Sequence, residues 1–310
     1  MKRIGFIFPG QGSQALGMGK DFFDRSEVAK AMFERASEAI NTDMKALLWE
    51  DEAKLGQSLY TQPAILLVSA IAHKLFENEA GIKPVLTLGH SLGEFSALTS
   101  VGALSLEDAV ATVHNRGQWM QEACEGKDAG MMVVLGLEDA AVEAAVASAQ
   151  GEGKLVWAAN YNSDGQIVLA GKRADLETLT EPLKAAGAKR AMLLNMSVAS
   201  HCPMLESATT PLAGMLADKL QDAFLAPVIS NVTATAYDSR DAALDLLPKQ
   251  LIEPVRYKQS IQAVENEVDL LIEFGHGSVL KGINKKVTMV PTISVSDMAS
   301  LEAAFESLKD

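Results

Sequence analysis

An apolar run at 85–88 ends on Gly89-His90-Ser91-Leu92-Gly93, and helix-forming residues follow at once. This G-x-S-x-G pattern is a nucleophile elbow, a strained strand-to-helix turn that lifts a serine hydroxyl clear of its backbone. Glycines at 89 and 93 leave room for the tight turn and for close approach of helix to strand. The helix start behind Ser91 also points backbone N–H groups at any oxyanion forming there. A chain carrying this feature needs a buried strand feeding a helix, which is α/β architecture.

The rest of the pattern agrees. Strand-like runs at 4–8 and 85–88 are followed by glycine turns and helical periodicity, with helices expected near 27–40, 63–77 and 106–123. Ser105 with Asp108 three residues on resembles the N-terminal capping signal of the last of these. The middle of the chain changes character. It reads as strand 131–135, helix 140–150, strands 155–159 and 166–170, helix 174–186 and strand 189–194. That βαββαβ order, in about seventy residues, is the ferredoxin-like unit. After it come a helix from about 201 to 220, a strand near 228–232, and helices around Leu246 and Ser260. A strand at 270–274 and a helix from about 279 complete the pattern. The expected architecture is a mostly parallel, hydrolase-like α/β domain formed by 1–126 and 198–310. A small domain at 127–197 is inserted into it, with a cleft between the two, and such clefts collect ligands.

With 310 residues, 48% of them apolar, the chain can bury a sizeable core. A formal charge of −13 without any long Lys/Arg run argues against a general nucleic-acid binder. Cys124 and Cys202 form no C-x-x-C, no apolar signal segment precedes the first strand, and nothing reads as a membrane-spanning helix. A reduced cytoplasmic setting follows, in which the Asn-x-Ser/Thr matches at Asn195 and Asn231 are chance.

A serine nucleophile needs a base. Of five histidines, His73 and His114 read as ordinary helix residues, and His90, beside Ser91, lines the site or packs beneath it. Two candidates remain: His201 in Ala199-Ser200-His201-Cys202, and His276 in Gly275-His276-Gly277 at a strand's carboxyl end, where open α/β sheets gather ligands. Spacing alone leaves them tied. The turn Phe8-Pro9-Gly10-Gln11-Gly12-Ser13-Gln14 is neither a dinucleotide fingerprint, because Ala15 stands at the third glycine position, nor a phosphate-binding P-loop. It can offer a backbone N–H to an oxyanion. Arg116, followed by Gly117, would grip a substrate carboxylate if buried, and the glycine marks close approach of another element.

These segments, with Thr61-Gln62-Pro63-Ala64, Met120-Gln121, Asn160-Tyr161-Asn162-Ser163, Ser200-His201 and Gln250-Leu251, occur in an order that resembles the malonyl-CoA:acyl carrier protein transacylases of bacterial type II fatty-acid synthesis. The resemblance runs essentially end to end. It implies a hydrolase-like fold with a ferredoxin-like insert, Ser91 as nucleophile and His201 as base, with a backbone carbonyl near Gln250 as the third member. It further implies an oxyanion hole from the N–H groups of Gln11 and Leu92, and Arg116 as the clamp on the malonyl carboxylate. His90, Met120, Asn160, Asn162, Ser200 and Gln250 are implied around the acyl and pantetheine path. The partners implied are malonyl-CoA and acyl carrier protein, with no metal, no cofactor, no nucleic acid and no membrane. Two departures stand out. Ala199-Ser200-His201 resembles the polyketide acyltransferases that take methylmalonyl units, and His276 occupies a loop usually written Gly-Pro-Gly or Gly-Asn-Gly. A methylmalonyl or polyketide-type acyltransferase is therefore one alternative, and a serine esterase or thioesterase on the same scaffold the other. Because CoA, carrier protein and this chain are all acidic, attraction has to come from local cations: Lys172-Arg173, Lys189-Arg190, or Lys281 with Lys285-Lys286.

Overall fold

The computed structural model describes residues 2–196 and 198–308. Ser197, the last residue of the expected insert, lies outside them. Among the described residues ten strands form two sheets: β1 (Ile4–Phe8), β2 (Leu86–Gly89), β3 (Ala129–Leu135), β4 (Val156–Ser163), β5 (Gln166–Lys172), β6 (Arg190–Leu193), β7 (Val228–Ile229), β8 (Ala236–Tyr237), β9 (Leu270–Phe274) and β10 (Thr292–Val295). The larger sheet runs β10-β9-β1-β2-β7-β8, parallel except for β7 with β8. Every residue of β1, β2 and β9 is buried, the signature of strands covered on both faces by helices.

The second sheet is contiguous in sequence and wholly antiparallel, in the order β4-β5-β3-β6. Its strands and its helices Asp139–Gly151, Arg173–Thr178 and Thr180–Ala185 enclose a core of their own. The single helix expected at 174–186 is two. Pro182 has no N–H to give the carbonyl of Thr178, so the helix breaks there.

Helix Ser58–Ala80 starts five residues ahead of the expected position, and its proline is accommodated from outside. Pro63 cannot donate to Leu59 O, and His114 Nδ1 donates to that carbonyl instead, at 2.8 Å. His114 is thus a stapling residue, not an ordinary one. Next to it, a Cβ on Gly117 would lie 2.6 Å from Ser58 O and Leu59 Cα, so the glycine lets helix Leu106–Cys124 touch helix Ser58–Ala80. On length and apolarity Ser58–Ala80 does match a membrane span, against the sequence expectation. However, 78% of its apolar window is buried inside the protein, which makes it the central helix of the core.

Candidate active site

At the carboxyl end of β2 the chain turns so sharply that Ser91 takes φ 54°, in the left-handed region. Only glycine fits on either side. A Cβ on Gly89 would sit 1.9 Å from the carbonyl carbon of Gly93, and one on Gly93 would sit 2.1 Å from Phe8 O. Asn231 holds the turn in place: its Oδ1 accepts from Ser91 N at 2.6 Å and its Nδ2 donates to Gly89 O at 2.6 Å. Asn231 reaches the elbow because the strand expected at 228–232 stops at Ile229, where Ser230 Oγ accepts from Val232 N and bends the chain.

His201 also has a positive φ, 59°. It precedes the helix that the sequence suggested it would begin, since Pro203 opens only a short 3-10 turn and the α-helix starts at Glu206. Its Nδ1 lies 2.6 Å from Gln250 O and its Nε2 2.7 Å from Ser91 Oγ. A carbonyl can only accept, so Nδ1 carries the proton and Nε2 presents a lone pair to the serine hydroxyl. Burial, reinforced by the Arg116 charge, lowers His201 to about 3, whereas the Gln250 carbonyl works the other way. At neutral pH the imidazole is therefore an unprotonated base.

Arg116 is 1% exposed. Its Nη1 donates to Gln62 Oε1 at 2.7 Å, and its Nη2 to Gln250 Oε1 at 3.0 Å and to Ser91 Oγ at 3.4 Å. The guanidinium lies 5.4 Å over the Phe95 ring, and its buried Nε has no partner among the described residues. Burial lowers it to about 10, opposed by Glu94, so it remains a cation whose hydrogen bonds go to neutral oxygens. Such a group favours an incoming carboxylate.

Ser91, His201 and Arg116 share one cavity of about 410 Å³. Gln11, Leu92, His90, Met120, Asn160, Asn162 and Ser200 also line it. His90 Nε2 lies 2.7 Å from Asn162 Oδ1, and burial lowers the ring's pKa. Among the described residues the backbone N–H groups of Gln11 and Leu92 donate to no protein acceptor. Gln250 alone departs from expectation. It is fully buried behind the arginine and does not line the cavity, because both ends of its amide and its carbonyl are taken up in orienting Arg116, Glu94 and His201. His276 is also absent from the cavity. It is half-buried at the end of β9, and burial lowers it against the pull of Asp297. Of the two histidines, His201 is the one within hydrogen-bond distance of Ser91 Oγ.

Four polar residues escaped the sequence reading of the site. Gln62 stands in a quoted motif without a role, Glu94 directly follows the elbow as one of its unassigned helix-forming residues, Asn231 reads as a chance Asn-x-Ser/Thr match, and Tyr237 carries no signal. Glu94 is 1% exposed; Gln250 Nε2 donates to it at 2.7 Å, Asn231 N at 3.1 Å and Tyr237 Oη at 2.9 Å. Burial pushes its carboxyl up to about 7 against those donors and Arg116.

Known proteins place the chain firmly. Residues 5–302 match the acyl transferase domain family. The malonyl CoA-acyl carrier protein transacylase of Bacillus subtilis (strain 168) is 40% identical over 314 aligned positions, covering 100% of this chain and 98% of that protein. The crystal structure of the malonyl-CoA:acyl carrier protein transacylase from Helicobacter pylori superposes with a TM-score of 0.96 at 47% identity, covering 100% of this chain and 99% of that one. A malonyl-transacylase solved in complex with a type II PKS acyl-carrier protein gives a TM-score of 0.94 at 36% identity, over 98% and 99% of the two chains.

Proposed function

Because the chain belongs to the malonyl-CoA:acyl carrier protein transacylase family, we propose that Ser91 carries the acyl group, His201 moves the proton and Arg116 holds the malonyl carboxylate. The protein is an acyltransferase that moves a malonyl group from malonyl-CoA to the phosphopantetheine thiol of acyl carrier protein, loading extender units for fatty-acid synthesis. Its reaction runs in two matched halves. Ser91 gives its hydroxyl proton to His201 Nε2 as Oγ bonds to the thioester carbonyl carbon. The N–H groups of Gln11 and Leu92 receive the oxyanion. The C–S bond breaks and the CoA sulfur takes the proton from His201. The carrier thiol then surrenders its proton to the same nitrogen, attacks the malonyl-serine ester, and Ser91 Oγ recovers the proton as it leaves.

One observation carries this assignment: Ser91 Oγ lies 2.7 Å from His201 Nε2 and 3.4 Å from Arg116 Nη2 within one cavity. A neutral acyl group would leave the buried cation without an anionic partner, which favours malonyl over acetyl. A simple esterase has no use for such a cation, and neither hydrolysis nor methylmalonyl transfer is favoured by the names of the relatives.

The strand order of 129–193 supports the reading of 127–197 as a ferredoxin-like insert in a hydrolase-like domain formed by 1–126 and 198–310. The exposed Lys189, Arg190, Lys285 and Lys286 supply the local positive charge that an acidic partner needs. Cys124 and Cys202 are free and buried, in keeping with a cytoplasmic setting. The test is the fate of malonyl-enzyme freed of excess malonyl-CoA. Release to added holo-carrier protein at least a hundredfold faster than to water is expected, and equal rates would make the protein a hydrolase.

A further inference from the structure

The carboxylate of Glu94 touches neither the cavity nor the reacting atoms, yet it bonds to the supports of all three groups that do. Its Oε2 accepts from Gln250 Nε2 and from Asn231 N, and its Oε1 accepts from Tyr237 Oη. An amide has one donating and one accepting end. Gln250 Nε2 donates to Glu94 Oε2 at 2.7 Å and more distantly to Ser91 O at 3.1 Å, so Glu94 is the nearer of these two acceptors, which turn Oε1 of the same amide toward Arg116 Nη2, 3.0 Å away. If that amide turned over, its NH₂ would meet the guanidinium donor to donor. Through Gln250 the carboxylate also steadies the segment whose carbonyl orients His201, and through Asn231 it braces the strained elbow.

Resting on the transacylase reading, we propose that Glu94 is a positioning residue, a buried acceptor whose reach to Gln250 fixes the orientation of the Arg116 clamp and thereby the preference for an acyl group bearing a carboxylate. Reach matters here more than charge. An amide in the same place still accepts from Gln250 Nε2 and Asn231 N, and donates to Tyr237 Oη. The carboxyl is itself pushed up to about 7 by burial, so a neutral form lies close at hand. Shortening the side chain by one methylene keeps a carboxyl group but withdraws the nearer acceptor, leaving the longer bond to Ser91 O to hold the amide.

The experiment compares Glu94→Gln with Glu94→Asp by single-turnover acylation of Ser91 from malonyl-CoA and from acetyl-CoA, each giving kcat/KM. A purely structural defect lowers both substrates together and leaves their ratio alone. The expected result is a malonyl-to-acetyl ratio within threefold of wild type for Glu94→Gln and at least tenfold lower for Glu94→Asp. Equal ratios in both variants, or a loss in Glu94→Gln as large as in Glu94→Asp, would overturn the proposal. Wild-type protein that fails to take up malonyl on Ser91 would instead overturn the transacylase reading.

Discussion

The two sheets meet over one cavity and contribute to it in different ways. The parallel sheet and its helices supply the floor, where each polar group is fixed from several directions. Ser91 is bonded through Oγ to His201 and through its N–H to Asn231, and Arg116 is held by Gln62 and Gln250. The antiparallel sheet supplies a roof with lighter support. Asn160 and Asn162 come from β4, whose pairing with β5 slips between Ala158 and Asn160 and again between Tyr161 and Ser163. The roof is tied to the floor by backbone bonds between Tyr161 N and Val255 O and between Val255 N and Ala159 O, and by Lys258, which pairs with Asp139 and Asp164. Tight fixation from several sides suits groups that carry out chemistry, because a misplaced base or cation costs rate directly. Lightly held groups suit a surface that must admit first CoA and then a carrier arm.

The largest effect expected from this contrast lies in the floor. His201→Ala should lower acylation of Ser91 by about 10³-fold or more, in line with loss of a positioned general base, whereas His276→Ala should stay within threefold. The reverse ranking would move the base to His276, at the end of β9. The same measurement in wild type has a pH signature. Burial and Arg116 hold His201 below its ordinary value of 6.5 and a protonated ring cannot accept, so activity falls on the acid side with its half-point below pH 6.5. A half-point at or above 6.5 would contradict the burial argument.

A smaller effect is expected in the roof. Asn162→Ala removes the partner of His90 Nε2, a hydrogen bond of about 0.5–1.5 kcal/mol. Ser91 loading from malonyl-CoA should stay within twofold, with transfer to the carrier protein slowed by about threefold to tenfold. An equal loss in both half-reactions would erase the distinction between floor and roof.

The floor's strands were the easiest part to read. β1 and β9 match their expected spans to the residue, because continuous apolar runs bounded by Pro9 and Gly275 have few alternatives. Ser105 caps its helix as expected, accepting from Asp108 N at 3.1 Å. Local cues failed where distant contacts decide. The first turn of Ser58–Ala80 fell outside the expected helix because the donor that replaces Pro63's missing N–H, His114, sits on another helix. Strand β8 has two residues and helix Lys20–Arg25 six, too short for a period to register. Helix Met298–Leu308, outside the expected elements, carries a readable spacing with apolar residues at 298, 301, 305 and 308.

In the site, the side chains lining the cavity were legible from the motifs, and most of the residues holding them from behind were not. Gln11, Ser91, Arg116 and His201 converge as the motif order implied. Glu94, Asn231 and Tyr237 are joined only by the fold: Asn231 lies 137 positions and Tyr237 143 positions from the carboxylate they share. A buried polar residue announces itself in sequence only when its partner is near.

Intact-mass and peptide mass spectrometry of the protein after brief exposure to malonyl-CoA tests the whole account most directly. It should find one malonyl group per chain, carried on the peptide containing Ser91 and absent from Ser91→Ala, with far less acetyl taken up from acetyl-CoA under the same conditions. A malonyl group on another residue, or equal loading by the two thioesters, would contradict it.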